Sequence, residues 1–343
     1  MPTNGHDVTQ SDVAEAAGVS RSLVSLALSG SPKVAEETRV HIARIASTLG
    51  YRVNAAASAL ARRRSTTIGL VLPNLRNAFF EQVSRALDDA AAQQGLTVFV
   101  AVGAQDQERL RRAIDSLLGV RVLGLVLVSP WLTDAQIVAI GEDAPTCVIG
   151  RLPPGGHVDS VHIDEDQAAR LVVSHLASRG ATTIGYAAPR VVDDASRFQR
   201  EKSLAQAAAE AGLPLITEEG DDSGAGRAIR RLLAEAPGVG LVAHNDMLAI
   251  DAVAVLRDGG EEGSRRAPLV SYDNTYLAQR DEFALTSIEQ PERFLARQAL
   301  RLVAERVAAL VDDPGAPLPA RDVEAEGRLV VRGSSTATTE RLR

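Results

Sequence analysis

Three polar residues, Arg21, Ser22 and Ser25, occupy exposed positions near the start of a short predicted helix. A guanidinium fork matches the two acceptors on the major-groove edge of guanine, so Arg21 in such a place has the chemistry to read a base. Catalytic chemistry has no comparable foothold. The chain contains no P-loop, no His-Glu-x-x-His zinc motif and no Gly-x-Ser-x-Gly elbow, and its six histidines are scattered. Residues 220–226 are glycine-rich but do not follow a convincing strand at dinucleotide-binding spacing, so they read as a surface turn. The single cysteine, Cys147, cannot form an internal disulfide and reads as a buried strand residue. The expectation is a protein that is not an enzyme and holds neither metal nor cofactor.

The elements that must carry Arg21 follow from local signals. Thr9-Gln-Ser-Asp12 matches a capping box, and Val13, Ala16 and Ala17 give the helix behind it one apolar face. Gly18 ends that helix, because glycine tolerates the left-handed turn conformation. Ser20 can cap the next helix, whose buried face is Val24, Ala27 and Leu28. Helix, tight turn and helix make the helix-turn-helix arrangement, in which the second helix enters the major groove by its N-terminal end. A third helix is expected over 35–49, with Val40, Ile42, Ala43, Ile45, Ala46 and Leu49 inward and Gly50 as its stop.

Charge is distributed to suit this reading. The chain has 343 residues and a net charge of −7, yet residues 1–64 carry 8 Lys and Arg against 5 Asp and Glu. The other 279 residues carry 29 against 39. A small basic head on an acidic body keeps attraction to DNA local. A length of 343 residues implies two or three folding units. No apolar run is long enough to span a membrane, and the polar N-terminus is no secretory signal, so a cytoplasmic protein is expected.

From Thr66 the texture changes to apolar runs of four to six residues alternating with amphipathic helices. Strands are expected at 68–72, 97–102, 124–129, 146–150, 160–163, 183–188, 241–245 and 269–273. Helices are expected at 78–94, 107–118, 134–140, 166–179, 196–211, 246–257 and after Pro291. Such runs indicate parallel strands covered on both faces, giving two doubly wound α/β layers. Ligands of such sheets bind outside the carboxyl ends of the strands.

The head resembles that of the lactose-repressor (LacI/GalR) family of bacterial transcription regulators. The likeness is carried by Val8-Thr-Gln-Ser-Asp-Val-Ala-Glu-Ala-Ala-Gly-Val-Ser-Arg-Ser-Leu-Val-Ser25, by Val34-Ala-Glu-Glu-Thr-Arg39 and by Gly50-Tyr-Arg-Val-Asn54. The body resembles the periplasmic-binding-protein-like body of the same family. There the likeness rests on Asn77-Ala-Phe-Phe80, Val161-His-Ile-Asp164, Leu241-Val-Ala-His-Asn-Asp246, Leu269-Val-Ser-Tyr-Asp273, Leu285-Thr-Ser-Ile-Glu-Gln-Pro291 and Leu329-Val-Val-Arg-Gly-Ser334. It covers essentially the whole chain. It implies a helix-turn-helix domain over 1–53, a hinge over 54–65 and a two-lobed effector-binding and dimerisation domain over 66–343. The N-lobe would comprise about 66–162 and 288–319, and the C-lobe about 163–287 and 320–335, with crossings near His162, Ser287 and Pro319. DNA contacts would come from Thr9, Ser20, Arg21, Ser22 and Ser25, with Arg21 and Ser22 at the family's main base-reading positions. Asn54, Ala57, Leu60 and Arg62 would follow in the hinge. Leu60 stands where the family wedges a minor-groove step apart, and Arg62, Arg63 and Arg64 would lie near phosphates. Leu26 replaces a customary arginine, and Ala35 a customary capping serine or threonine.

In the body, Asn74, Ser129, Asn245 and Asp273 stand at strand ends facing the implied cleft, and Phe79, Phe80, Arg197 and Arg200 at loops and helix starts. This mixture suits a polyol: aromatic faces stack on C–H groups while Asp, Asn and Arg orient the hydroxyls. Trp131 is a possible further stacking residue. The pocket departs from the family at Val270-Ser-Tyr-Asp273, where Gly-Phe-Asp-Asp is usual, and at Ser203-Leu204, where Gly-Phe or Gly-Trp is common. The expected function is a homodimeric repressor of palindromic operator DNA whose affinity is set by a small molecule, a sugar in first place. A purine or other corepressor is the alternative. The helix over 78–94 is the expected dimer element by resemblance, and 333–343 lacks the heptads of a tetramerising zipper. An exported transport-type binding protein would share the body but carry an export signal and no DNA-reading head.

Overall fold

The computed structural model describes residues 8–28, 31–51, 65–103, 106–190, 194–220, 224–258, 267–313 and 318–336. Backbone contacts divide the chain into two compact units, Met1–Ser65 and Thr66–Arg343, each with its own core. Among the described residues no helix is long and apolar enough to cross a membrane.

In the first unit α1 (Gln10–Ala17), α2 (Arg21–Leu28) and α3 (Glu36–Thr48) pack around Val13, Ala14, Val24, Ala27, Val34, Ile42 and Ala46. The capping box forms: Thr9 Oγ1 accepts from the Asp12 amide at 3.3 Å, and the Thr9 amide donates to Asp12 Oδ2 at 2.7 Å. Gly18 closes α1 at φ +66°, a conformation an L side chain resists. Ser20 Oγ accepts from the Leu23 amide at 3.2 Å and so opens α2. Ala35 starts α3 with no side-chain cap. Four residues expected inward, Ala16, Val40, Ala43 and Leu49, are exposed, Val40 by 58%. Three short helices around one small core each bury a single narrow stripe. On α3 that stripe runs through Ile42, Ile45 and Ala46.

The second unit contains twelve strands among its described residues. They are β1 (Thr67–Leu72), β2 (Thr97–Val102), β3 (Gly124–Val128), β4 (Thr146–Ile149), β5 (Asp159–Ile163), β6 (Thr183–Ala188), β7 (Leu215–Glu219), β8 (Val239–Ala243), β9 (Leu269–Asp273), β10 (Thr286–Glu289), β11 (Asp322–Ala325) and β12 (Arg328–Val330). One sheet runs β11-β5-β4-β3-β1-β2, parallel throughout. The other runs β12-β10-β9-β8-β6-β7, with only β12 antiparallel to its neighbour. On the first sheet α4 (Ala78–Ala92) and α11 (Glu292–Asp312) cover one face, and α5 (Gln107–Gly119) and α6 (Asp134–Asp143) the other. On the second, α7 (Glu165–Ser178) and α8 (Ala195–Glu210) face α9 (Gly226–Glu235) and α10 (Asp246–Asp258) across the strands. Strands such as β1 and β3 are buried on both faces, which is why they read as unbroken apolar runs.

The chain crosses between the two lobes three times. The first crossing lies between Ile163 and Glu165, and the second between Glu289 and Glu292. The third lies between Ala325 and Arg328 rather than near Pro319. Asp322–Ala325 first adds an edge strand to the N-lobe by pairing with β5, and only β12 returns to the other sheet. A second correction concerns the glycine-rich segment. It does follow a strand, β7, and it leads into α9. That strand escaped notice because it is an edge strand of polar sequence, Leu-Ile-Thr-Glu-Glu, without an apolar run.

One ion-pair network fixes the N-lobe far from any strand's carboxyl end. Asp159, fully buried at the start of β5, accepts from Arg306 Nε at 3.0 Å and Nη2 at 2.5 Å, and from Arg321 Nη2 at 2.7 Å. Burial pushes the Asp159 pKa up, but Arg321 and Arg306 more than offset it and hold the carboxyl below its ordinary range.

Candidate functional site

On the head, Arg21, Ser22 and Ser25 are exposed on α2 and carry no part of the core, as a reading surface requires. Thr9 and Ser20 are exposed too, but each hydroxyl already serves a helix start. Ser20 Oγ also lies 3.1 Å from Ser22 Oγ, which fixes Ser22 beside the first turn. Leu26, 40% exposed, presents an apolar side chain on the same helix. Asn54, Ala57, Leu60 and Arg62 lie outside the described residues.

In the body, the carboxyl ends of both sheets face a cleft of about 710 Å³. Asn74, Phe79, Phe80, Ser129, Arg200, Asn245 and Asp273 all line it, and so does Trp131. Each is placed by a strand end or helix start. Asn74 follows β1, and its Oδ1 accepts from the Arg76 and Asn77 amides at 2.9 and 3.3 Å, which turns the chain into α4. Phe79 and Phe80 then enter the wall in the first turn of α4, tilted 59° to each other with centroids 6.2 Å apart. Ser129, directly after β3, and Asp273, the last residue of β9, have φ of +39° and +97°. Such φ values cost energy in a non-glycine residue and recur where side chains must point into a site. Asn245 caps α10, its Oδ1 taking the Leu248 amide at 3.0 Å, which leaves its Nδ2 for the cleft.

Asp273 sits at the centre. Its Oδ2 accepts from Asn77 Nδ2 at 2.9 Å and its Oδ1 from Gln290 Nε2 at 2.6 Å. Asn77 belongs to the N-lobe and Gln290 to the second crossing, so one carboxylate ties both lobes and the segment that crosses between them. Burial, with neighbouring Asp246 second, pushes its pKa up to about 7, against the opposing pull of Arg200 and the two amides. Asp246 itself lies buried beneath, accepting from Ser271, Ser287 and Thr275, and fastens the ends of β9 and β10 to α10.

Arg200 lines the cleft but every one of its nitrogens is engaged. Nε and Nη2 fork onto Glu165 at 3.2 and 2.7 Å, and Nη1 donates to the His244 carbonyl at 2.5 Å. Its guanidinium lies 3.8 Å from the centre of the Tyr272 ring. The tyrosine in place of phenylalanine thus becomes a platform for Arg200. Arg197 is a correction: it does not line the cleft. Glu219 at 2.8 Å and Glu201 at 3.5 Å hold its guanidinium towards the end of β7 instead, 4.9 Å from the Phe198 ring.

Among the lining residues that escaped the sequence reading are Asn77, Arg151, His244 and Gln290. Arg151, just past β4, is buried with Nη1 on the Leu132 carbonyl at 3.1 Å and Nη2 on Asp134. His244 follows β8 directly. The rule that strand ends face the ligand could have found both. Asn77 and Gln290 announce themselves only through Asp273, 196 and 17 positions away.

Comparison with known proteins agrees with this division. The family model for bacterial regulatory proteins of the lacI family matches residues 9–54, and that for a periplasmic binding protein-like domain matches residues 173–335. The HTH-type transcriptional regulator GalR of Escherichia coli (strain K12) is 31% identical over 317 residues, 91% of each chain. The fold is that of the lac repressor dimer solved with operator and an anti-inducer, at a TM-score of 0.78 and 24% identity over 97% of this chain and 100% of that one. The transcriptional regulator CelR, solved as a cellobiose complex, is 26% identical at a TM-score of 0.68 over 95% and 99% of the two chains. With a helix-turn-helix head, a two-sheet body around a cleft and a regulator alike along nine-tenths of its length, the chain belongs to the lacI family of bacterial regulatory proteins and is a transcriptional regulator.

Proposed function

We propose that two copies of the chain bind a two-fold symmetric operator, and that an uncharged sugar in the cleft sets their affinity for it. The outcome in the cell is repression, exerted in the cytoplasm. The observation that carries this reading is the lining of the cleft. Aromatic faces from Phe79, Phe80 and Trp131 accompany the amide of Asn245 and a carboxylate whose partners are neutral amides. Stacking faces with a few placed polar groups recognise hydroxylated rings. Two of the cations that line the cleft, Arg200 and Arg151, are already occupied by carboxylates, and Arg197 turns away from it. Arg200 acts as a positioning residue, holding the His244–Asn245 segment.

Base reading falls to Arg21 and Ser22, with Ser25 beside them; Thr9 and Ser20 contribute through the helix ends they hold. Leu60 supplies the minor-groove wedge, flanked by Asn54, Ala57 and Arg62. Dimerisation uses α4 together with the neighbouring edge strand β2. The outer face of α4 is charged, with Glu81, Arg85, Asp88 and Asp89, while β2 leaves Phe99 and Val100 41% and 51% exposed. An exposed apolar edge strand demands a cover.

A thermal-shift screen of sugars and nucleobases tests the ligand class, followed by gel shifts on the DNA upstream of the chain's own gene with and without whichever compound stabilises it. A sugar that raises the melting temperature and alters the gel shift is the expected result. Stabilisation by adenine or guanine alone overturns the sugar in favour of a purine corepressor.

A further inference from the structure

His244 is the cleft residue with the least conspicuous role. It leaves β8 with its amide donating to the Ala187 carbonyl at 3.1 Å, and its side chain is 8% exposed. Its Nδ1 lies 2.7 Å from the hydroxyl of Tyr186, which is wholly buried on β6. That hydroxyl has no other partner among the described residues. A buried O–H has to place its proton, so Tyr186 donates to Nδ1 rather than accepting from it. The other ring nitrogen then carries the hydrogen of the neutral imidazole.

Nε2 makes no hydrogen bond among the described residues, yet it is not sealed in. The buried side-chain polar atoms left without a partner there are Arg151 Nε, Arg197 Nε and the Tyr272 hydroxyl. Nε2 is therefore open to the cleft that His244 lines. The surroundings keep the ring in this form. Burial, then the Arg200 and Arg197 cations, push its pKa well below the usual histidine value. The bond from Arg200 Nη1 to the His244 carbonyl holds the backbone beneath it.

We propose that His244 is a specificity-determining residue of the cleft, its Nε2–H donating to an oxygen acceptor of the bound sugar, with Tyr186 as the positioning residue that fixes the tautomer. The group is a donor only. It favours a ring, bridging or hydroxyl oxygen at that point and rejects an analogue that lacks the oxygen, because the N–H would then be covered and unpaired. The proposal rests on the sugar reading above.

The test uses the full chain labelled with nitrogen-15 at histidine, the His244 signals being assigned by their absence in His244→Phe. D-galactose and cellobiose serve as probes. The expected spectrum shows the Nε2–H tautomer, unchanged between about pH 6 and 8, and Tyr186→Phe converts it to a mixture of tautomers. Whichever probe stabilises the wild-type protein should bind about ten-fold more weakly to His244→Phe. It should bind about three-fold more weakly to Tyr186→Phe, which keeps the ring but not its tautomer. The double variant, which leaves no orphaned hydroxyl, guards against a folding defect in the single one. An Nδ1–H tautomer, or probe affinities within about two-fold of wild type in all variants, overturns the assignment. A wild-type protein showing the Nε2–H tautomer but stabilised by neither probe supports the donor and counts against the sugar.

Discussion

Asp273 concentrates the energetics of the cleft in one carboxyl group. Its pKa stands at about 7 in the fold against 3.8 for the free group, with burial the chief cause. Between those values the folded state binds more protons than the unfolded state, so stability falls as pH rises from about 4 to 7 and levels off above. The Asp273→Asn variant, which keeps the shape and needs only the Gln290 amide to turn to match it, should lack that slope. Unfolding free energies of the two proteins in urea should converge at about pH 4 and separate in favour of the variant up to about pH 7, by at most about 4 kcal/mol. Parallel curves would show that the carboxyl ionises freely in the fold. Asp159 behaves in the opposite way, held ionised by two arginines. Arg306→Met should destabilise the chain by about 3–5 kcal/mol in urea unfolding, since it leaves a buried carboxylate half-compensated. At this scale the sequence was partly legible. Asn245 and Asp273 betray themselves as polar residues ending apolar runs. Asn77 and Gln290 do not, because what makes them matter is a partner brought near only by the fold.

Elements are the level at which local chemistry speaks most directly. The capping box at Thr9, the glycine stop at Gly18 and the buried strands β1, β3 and β8 all follow from short-range pattern, and the structure contains each of them. Pattern fails where an element is an edge or borrows its stability from elsewhere. Strand β7 is half-buried and acidic, β11 alternates exposed with half-buried residues, and β12 is only three residues long; each exists because a neighbouring strand offers its backbone. The start of α3 is the weakest cap of the head, since Ala35 provides no side-chain acceptor although its φ of −58° and ψ of 144° suit a capping residue. Ala35→Ser should stabilise α3 by about 1 kcal/mol. Amide exchange in its first turn, at Thr38 and Arg39, should slow about five-fold in the full chain. An unchanged rate would mean that the turn is held by its tertiary contacts alone.

At the scale of the molecule, the second unit is two lobes joined by three crossings and by the Asn77–Asp273 hydrogen bond across the cleft. A ligand shifts the lobes only as far as it binds one arrangement better than another. The bond belongs to the arrangement seen here, so weakening it should favour a more separated one. Asn77 also caps α4 by accepting the Phe79 amide at 3.0 Å, which rules out a simple deletion. Asn77→Asp resolves the two roles, because aspartate caps as well as asparagine does but sets a second carboxylate against Asp273. Two carboxylates at that distance cannot both ionise cheaply. Below about pH 7 the Asp273 carboxyl holds its proton and the link survives as a shared one. Above that pH repulsion should part the lobes. Small-angle scattering should then show a larger radius of gyration for the variant at about pH 8 than at about pH 6, with no such change in the wild-type protein, and sugar affinity should fall over the same interval. A radius independent of pH in the variant would show that the three crossings alone, and not the carboxylate between them, set the spacing of the lobes.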